Sequence, residues 1–436
     1  MLDFEEYNAT LKNQEFYSFL GKVERVIGLT IESTGPKVRI GDVCKVYENK
    51  KNSKVYHAEV IGFRADRVLL VPYEDMSGLG LDYVVKNTQS RLQVPTGEAL
   101  IGRVINAIGE PMDGKGSIDA RSKYSVEAIN QNPLSRSRIK DVLDFGIKAI
   151  DGMLTIGKGQ RMGIFAGSGV GKSTLLGMIA RNGRADLNVI ALVGERGREV
   201  REFIEKDLGE EGMKRSIVVV ATSDQPAMMR VKCALTASAI AEFFKDQGQD
   251  VLLMMDSLTR FAMAQREIGL AAGEPPVARG YTPSIYAALP KLLERAGNFK
   301  SGSITGLYTV LVEADDTNDT IGDTVRGIVD GHIVLERRLA SMNHFPAINV
   351  LSSISRLMSD IVDEEVKAVA SQIRRIMSLY DSNYDLITIG AYKPGINSAL
   401  DNAVARIDRI NALLMQRVDE SFSREEVIAM MKEVLA

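Results

Sequence analysis

The pattern of apolar and polar residues changes three times along the chain. From Gly21 to about Val94, short runs rich in β-branched residues are separated by turn formers, which predicts a small antiparallel barrel or sandwich. Between about Asp144 and Asn349, unbroken apolar runs alternate with longer helical segments, as in a parallel sheet covered on both faces. After about Val350 the strand-like runs end, and apolar residues recur at helical spacing.

These changes define four segments and one fold class. We predict an arm at 1–20, a β-barrel domain at 21–95, a central domain with its connector at 96–349 and a helical domain at 350–436. The arm has loosely helical apolar spacing, so a partner-binding arm and a frayed terminus both stay open. Near the C-terminus, Ser423 and Glu426 are spaced as a capping box that starts the last helix. The fold class is an α/β core with a mostly parallel sheet, a small N-terminal β-barrel and a C-terminal α-helical domain.

The segment AGSGVGKST, from Ala166 to Thr174, joins an apolar strand to a helix and has the form of a phosphate-binding loop. The strict pattern begins with glycine, whereas this loop begins with alanine. The residues expected to surround the phosphates are Ala166, Gly167, Ser168, Gly169, Val170, Gly171, Lys172, Ser173 and Thr174. The glycines are expected to adopt backbone angles that a Cβ would forbid, Lys172 to contact the β and γ phosphates, and Ser173 to bind Mg²⁺. The loop predicts a RecA-like P-loop nucleotide-binding core.

Two other apolar strands end in carboxylates. DVLLMMD ends in Asp256, the Walker B arrangement, in which the carboxylate holds Mg²⁺ through water. VIALVGE ends in Glu195, followed by Arg196; if its strand neighbours the loop strand, Glu195 can orient or deprotonate the attacking water and face the metal. A solvated charge cluster at a helix start is the alternative for Glu195.

Composition narrows the function classes. The net charge is −3 and the pI is about 5.9, and we find no basic, aromatic-rich module, which argues against nucleic acid as a partner. The two cysteines and three histidines have no metal-ligand spacing. The N-terminal stretch lacks the apolar core of a signal peptide, and no apolar run is long enough to span a membrane. We therefore expect a cytoplasmic protein that is at most peripherally attached to a membrane.

Five motifs occur in the order found in the rotary ATPase family, which includes F-type ATP synthase catalytic subunits and the ATPases of type III export. They are AGSGVGKST, VGERGREV, LLMMDSLTRF, GYTPSIYAALPKLLERAG and PAINVLSSISR. Within that family the chain most resembles the flagellum-specific export ATPases. The resemblance runs from about Gly21 to the C-terminus and implies the same three-domain plan.

The resemblance also implies roles for individual residues. Lys172 and Ser173 match the phosphate and metal residues of the loop, Glu195 matches the catalytic carboxylate, and Asp256 matches the Walker B acid. Arg196 resembles a γ-phosphate contact. Arg356, which ends SSISR, resembles an arginine finger that one subunit inserts into its neighbour's site; an ordinary helix-cap arginine is the alternative.

Two aromatic residues are candidates for the base site. Phe345, before Pro346, matches the aromatic residue that packs on adenine, and an apolar contact of this kind favours ATP over GTP only weakly. Tyr392, in GAYKPG, is a candidate second wall of that site, with a core tyrosine as an equal alternative.

Taken together, the resemblance implies a Mg²⁺-dependent ATPase of flagellar type III protein export that acts as a homohexamer. It further implies a stator-like regulator at the N-terminal arm, a central stalk protein, the membrane export gate, and export substrates with their chaperones, at the inner membrane. The alternatives are a catalytic subunit of a rotary ATP synthase, the ATPase of a virulence-type secretion system, an RNA-translocating hexameric helicase and a noncatalytic nucleotide-binding subunit.

Overall fold

The computed structural model describes residues 19–48, 54–127, 132–312 and 319–436. The predicted N-terminal arm lies, except for its last two residues, outside this part of the chain. The chain divides into two compact units, one formed by residues up to 92 together with 267–274, and the other by the remaining residues.

The first unit is built on a closed six-stranded barrel. Its strands are β1 (Leu20–Ile27), β2 (Thr30–Ser33), β3 (Val43–Glu48), β4 (Val55–Arg64), β5 (Arg67–Pro72) and β6 (Tyr83–Asn87). They pair antiparallel around the barrel in the order β1, β2, β5, β4, β3, β6, and β6 closes on β1. Inward-facing residues such as Val46, Val60 and Val85 are completely or almost completely buried, as period-two alternation predicts. Of the two predicted arrangements, the barrel is therefore correct.

The second unit is organised around a nine-stranded, mostly parallel sheet. The strands of this unit are β7 (Gln93–Thr96), β8 (Val104–Asn106), β9 (Ser122–Ser125), β10 (Val142–Leu143), β11 (Ile156–Gly157), β12 (Arg161–Ala166), β13 (Leu187–Glu195), β14 (Ser216–Thr222), β15 (Asp250–Asp256), β16 (Gly297–Asn298), β17 (Ser303–Leu311), β18 (Gly331–Leu335) and β19 (Ile354–Ser355). The sheet order is β19, β18, β12, β17, β15, β13, β14, β8, and β16 pairs with β17. Among the described strands of this sheet, only β19 and β16 run antiparallel to their neighbours, so the predicted α/β core is confirmed.

The helices of the described residues all begin after the barrel. They are α1 (Lys148–Met153), α2 (Lys172–Asn182), α3 (Gly197–Glu202), α4 (Gly209–Met213), α5 (Ala227–Asp246), α6 (Leu258–Ala272), α7 (Pro283–Leu293), α8 (Thr320–Ile328), α9 (Arg337–Ser341), α10 (Met358–Ile361), α11 (Glu364–Ser382), α12 (Tyr384–Thr388), α13 (Ser398–Leu414) and α14 (Arg424–Leu435). A π-helical turn at Phe203–Leu208 joins α3 to α4. None of the helices in the described ranges is long and apolar enough to cross a membrane.

The predicted connector belongs to the second unit and contributes more structure than its turn-rich sequence predicts. Strand β8 lies inside it and extends the central sheet parallel to β14. The Arg103 guanidinium binds the Asp113 carboxylate through two hydrogen bonds of 2.7 and 2.9 Å, and Asp113 also accepts the Val104 backbone N–H at 3.1 Å. A three-residue strand has too short a pattern to be read from sequence, and this ion pair holds it at the sheet edge.

The C-terminal helices pack on the central core through the predicted apolar faces. Val366, Ala370 and Ile373 of α11 are buried, as are Ile407 and Ile410 of α13. In the capping box of α14, the Ser423 hydroxyl accepts the Glu426 N–H, and the Glu426 carboxylate accepts the Ser423 N–H. The helical C-terminal region is therefore confirmed.

Candidate active site

The glycine-rich loop lies where predicted, between β12 and α2. Gly169 and Gly171 have φ angles of +77° and +85°, a region that favours glycine. Gly171 is also the N-cap of α2, so the loop turns directly into the helix start, where backbone N–H groups favour anions. Gly167 is not in the left-handed region, and the expectation that all three glycines need such angles is wrong for this position.

Lys172 lies between the two carboxylates predicted from the ends of β13 and β15. Its Nζ forms a short ion pair with Asp256 Oδ1 and lies 3.5 Å from Glu195 Oε1. The exposed fractions of the three side chains are 12% for Lys172, 14% for Glu195 and 5% for Asp256. Asp256 Oδ1 also accepts the Thr309 hydroxyl at 2.7 Å. The structure thus brings together three residues that are far apart in sequence.

The electrostatics of this cluster follow from burial. Burial opposes the charge on Lys172, but the negative charges of Asp256 and Glu195 together raise its pKa above the usual value. Burial, reinforced by the charge of Asp256, raises the pKa of Glu195 to about 7. Because proton transfer works best when a base has a pKa near the ambient pH, Glu195 is suited to general-base chemistry.

Glu195 reaches the cluster by a route different from the predicted one. Its strand β13 does not neighbour the loop strand β12, because β17 and β15 lie between them. The register of β13 against β14 shifts between Val193 and Glu195, and Gly194 has a φ of +72°. A bulge of this kind re-aims the side chain that follows it. The bulge therefore accompanies the turn of Glu195 toward Lys172 at the carboxyl edge of the sheet.

The loop, Lys172 and Glu195 line a cavity of about 610 Å³, here called the phosphate cavity. Arg196, predicted as a phosphate contact, also lines it, but its side chain is 79% exposed and lies 3.5 Å from Glu199. Two further arginines, Arg260 and Arg337, line the cavity and were not predicted. The Arg260 Nε is buried and has no hydrogen-bond partner among the described residues. Its signal in the sequence is its position four residues after Asp256, in the first turn of the helix that follows strand β15.

The oxygen donors near this cavity fit a magnesium ion that arrives with a nucleotide. No group of three or more His, Cys, Asp or Glu side chains within the described ranges could hold a metal ion by itself. The available donors are the Ser173 hydroxyl, at the edge of the phosphate cavity, and the carboxylates of Asp256 and Glu195. Mg²⁺ is typically held by one or two carboxylates together with substrate phosphates, and this donor set matches that pattern.

A second cavity of about 690 Å³, here called the base cavity, adjoins the phosphate cavity. Gly171 and Thr174 line both, so the two meet at the start of α2. Phe345 lines the base cavity, as predicted for a residue that packs on adenine, and 41% of it is exposed. Residues 415–420, which include the buried Gln416, also line this cavity. Sequence reasoning missed this segment, which approaches Phe345 only through the tertiary fold.

Two predicted site residues lie elsewhere. Tyr392 does not line the base cavity; its hydroxyl donates a 2.5 Å hydrogen bond to Asp401. Arg356 directly follows edge strand β19 and lines neither cavity of its own chain. Its side chain is exposed and donates to the Arg326 carbonyl at 3.1 Å. The structure therefore separates both residues from the Lys172 cluster of the same chain.

Three family models match successive parts of the chain. Residues 23–89 match the ATP synthase alpha/beta family, beta-barrel domain, and residues 146–355 match the nucleotide-binding domain of that family. Residues 362–433 match the T3SS EscN ATPase C-terminal domain. The three matched regions correspond to the barrel, the central sheet and the C-terminal helices, in that order.

Whole-chain comparisons agree with these matches. The flagellum-specific ATP synthase of Bacillus subtilis is 56% identical over 95% of this chain and 94% of the relative. The type 3 secretion system ATPase of Xanthomonas euvesicatoria is 48% identical over 95% of this chain and 93% of its own length. The assembled ATPase EscN of the enteropathogenic E. coli type III secretion system superposes with a TM-score of 0.90 at 45% identity, covering 95% of this chain and all of the EscN chain. The chain therefore belongs to the ATP synthase alpha/beta family and is an ATPase of the group that includes flagellum-specific ATP synthases and type III secretion ATPases.

Proposed function

We propose that this chain is the ATPase of a flagellar protein export apparatus and that it hydrolyses Mg-ATP in a homohexamer. The observation that carries the proposal is the contact of Lys172 with Asp256 and Glu195 at a cavity that meets the base cavity. The base cavity, the phosphate loop and a buried pair of carboxylates are thereby arranged along one path. A molecule with a purine base and a chain of phosphates fits that path.

In this proposal the residues of the chain divide the work of phosphoryl transfer. The loop N–H groups and the start of α2 hold the phosphates, and Lys172 exchanges a carboxylate partner for phosphate oxygens. Glu195 takes the proton of the attacking water, for which its raised pKa prepares it. Ser173 and Asp256 would hold Mg²⁺, which when bound neutralises charge on the β and γ phosphates. Arg196 and Arg260 supply further positive charge beside the same cavity.

The role of Arg356 requires a second subunit. Its position outside the cavities of its own chain is what a finger acting on a neighbour needs. The relative EscN was solved as an assembled ATPase and also in complex with its central stalk EscO, where the superposition has a TM-score of 0.87. We extend assembly and a central stalk partner to this chain on that basis.

The remaining partners follow from the export role. We propose that the N-terminal arm binds a stator-like regulator, and that the ring presents chaperoned export substrates to the membrane gate from the cytoplasmic side. The 56% identity to the flagellum-specific relative of Bacillus subtilis supports flagellar export. Virulence-type secretion stays the alternative, because the flagellum-specific relative of Treponema pallidum and the secretion-system ATPase of Xanthomonas euvesicatoria are both 48% identical to the chain.

The site is tested with two substitutions. Glu195→Gln keeps the shape of the side chain but removes the base, so we expect ATP to bind normally while turnover falls by about 100-fold or more. Lys172→Ala should weaken both binding and turnover. Unchanged turnover in Glu195→Gln would remove this residue from catalysis.

The biological role is tested separately. A strain without the gene should lose flagella and regain them with the wild-type gene but not with Glu195→Gln. Intact flagella with loss of another secreted set of proteins would favour the virulence-type alternative. Mass measurement of the purified chain with a nonhydrolysable ATP analogue addresses the synthase alternative, since a synthase catalytic subunit needs a distinct noncatalytic partner to form its ring.

A further inference from the structure

In the central sheet, strand β17 lies directly between the loop strand β12 and strand β15, which ends in Asp256. The carboxyl end of β17 is bonded toward both sides. The Val312 N–H donates to the Ala166 carbonyl at 3.0 Å, and the Leu311 N–H donates to the Thr259 hydroxyl at 2.9 Å. No motif of the sequence analysis includes this strand, yet its end lies beside the phosphate loop and the Walker B carboxylate.

Thr309, near that end of β17, is completely buried and has a hydroxyl within reach of two acceptors. The hydroxyl oxygen lies 2.7 Å from Asp256 Oδ1 and 3.3 Å from the Met255 carbonyl oxygen. A hydroxyl has one proton to donate, and a hydrogen bond to a carboxylate is shorter and stronger than one to a neutral carbonyl. Thr309 therefore donates to Asp256.

Asp256 Oδ1 accepts two donors, the Thr309 hydroxyl and Lys172 Nζ. Among the described residues these are the side-chain partners of Asp256, and because both use Oδ1, Oδ2 stays available to a metal ion. When nucleotide binds, Lys172 exchanges this carboxylate for phosphate oxygens, as proposed above. Thr309 is fixed within the sheet, so it is the partner that Asp256 keeps.

We propose that Thr309 is a positioning residue for Mg²⁺ binding: its hydroxyl holds the Asp256 carboxylate in place for the ion once Lys172 has turned to the phosphates. The inference rests on the proposed binding of Mg²⁺ by Asp256. Carboxylates that bind a metal are themselves held by hydrogen bonds, and loss of such an outer partner typically costs about 10–100-fold in metal affinity or activity. The alternative is a purely structural hydroxyl inside a buried strand.

The test separates the contribution of the metal from that of the nucleotide. Isothermal titration calorimetry measures the affinity of the full chain for AMP-PNP, a nonhydrolysable ATP analogue, in excess Mg²⁺ and again in EDTA. The ratio of the two affinities is the gain from the metal. Thr309→Val keeps the shape of the side chain without the hydroxyl, so we expect the gain to fall by about tenfold and the affinity in EDTA to stay within about twofold. Thr309→Ser keeps the hydroxyl and should restore most of the gain.

Thr305, nearer the amino end of the same strand, gives a matched control. It is also buried, but its hydroxyl accepts the Gly159 N–H at 2.8 Å, at the other end of β12 from the phosphate loop. Thr305→Val should leave the gain within about twofold even where it lowers the thermal midpoint. A double-mutant cycle adds a second control: Asp256→Asn should remove the gain, and Thr309→Val should change it no further in that background.

The outcomes distinguish this inference from the function on which it rests. Absence of a gain in the wild type, or a gain that Asp256→Asn does not reduce, would contradict the proposed Mg²⁺ binding and the inference with it. A gain that Asp256→Asn removes but Thr309→Val leaves intact would overturn only the inference. Equal losses of affinity in Mg²⁺ and in EDTA would also overturn it, because they would show that Thr309 supports only the fold. Thr309→Ala, which also lacks the hydroxyl, gives the same comparison should Thr309→Val not fold.

Discussion

The backbone N–H of Gln416 donates a 2.9 Å hydrogen bond to the carbonyl of Phe345. The Gln416 side chain is held in turn by the Lys148 N–H at 2.9 Å, the Gly146 carbonyl at 2.8 Å and the Glu420 carbonyl at 2.9 Å. Gln416 thus contacts the start of α1 and Glu420 through its side-chain amide, and Phe345 through its backbone N–H. Gln416 is a positioning residue for Phe345.

Gln416→Leu should raise the KM for ATP by about fivefold or more and leave kcat within about twofold, because the base cavity loses its fixed geometry while the phosphate cavity keeps its own. The free energy of unfolding should also fall by about 3 kcal/mol, since buried backbone groups lose their partners. Steady-state kinetics and urea unfolding measure the two effects. The exposed Gln247 gives a matched control through Gln247→Leu. Lower stability with an unchanged KM would make Gln416 purely structural.

Phe345→Ala should raise the KM for ATP by about tenfold, since stacking of a base on an aromatic ring contributes about 1–3 kcal/mol. Tyr392→Phe is the control: it removes only the hydroxyl that binds Asp401, away from the base cavity, and should leave the KM unchanged. Initial rates over a range of ATP concentrations test both variants. A larger effect from Tyr392→Phe than from Phe345→Ala would reverse these assignments.

Site residues that lie at the carboxyl ends of strands could be predicted from the sequence. Asp256 and Glu195 close two apolar runs, and the carboxyl ends of parallel strands share one edge of the sheet, so the pattern predicts that both lie at that edge. The approach of Glu195 to Lys172 was predicted only for a strand beside the loop strand, and in the structure it is accompanied by the bulge at Gly194 instead. The strand order could not be predicted, because β13 is separated from β12 by two strands that occur later in the chain. The order depends on tertiary packing, which periodicity does not record.

The lining of the base cavity also depends on tertiary packing that the sequence pattern does not predict. Phe345 was found through a motif, whereas Gln416 was missed because it belongs to no motif and meets Phe345 only after the C-terminal helices pack on the core. Tyr392 lies closer in sequence to Phe345 than Gln416 does, yet it bonds to Asp401 at the start of α13 instead. Distance along the chain was a poor guide here because the helices between these residues reverse the chain direction.

The ion pair of Arg103 and Asp113 predicts a pH-dependent contribution to stability. The hydrogen bond from Arg103 lowers the pKa of Asp113 below its usual value, so the folded state binds this proton less readily than the unfolded state. The contribution is therefore fully present above the unfolded pKa of about 4 and is lost as the pH falls toward the lower folded value. The difference in urea midpoint between wild type and Asp113→Asn should be largest at pH 7 and shrink steadily from about pH 5 to pH 3.

The exposed Asp119, in the same connector, supplies the control for this comparison. Asp119→Asn should give a small difference from wild type at every pH. A difference for Asp113→Asn that stays constant from pH 7 to pH 3 would show that the pair does not contribute through its charge.

Arg356→Ala should lower kcat by about 10³-fold while ATP still binds, because a finger acts on charge that develops in the transition state.

The decisive experiment measures the activity of rings assembled from a mixture of Arg356→Ala chains and Lys172→Ala chains. Each variant alone is inactive, but a mixed ring contains interfaces in which an intact Lys172 faces an intact Arg356 from the neighbour. About a quarter of the interfaces in an equal, random mixture have this composition, so activity should return toward that fraction of wild type. The control is a mixture of Arg356→Ala chains with chains that carry both Arg356→Ala and Lys172→Ala. This mixture should stay inactive, since no subunit then supplies the finger. Failure of the first mixture to regain activity, with rings confirmed by mass measurement, would place Arg356 outside the neighbour's site.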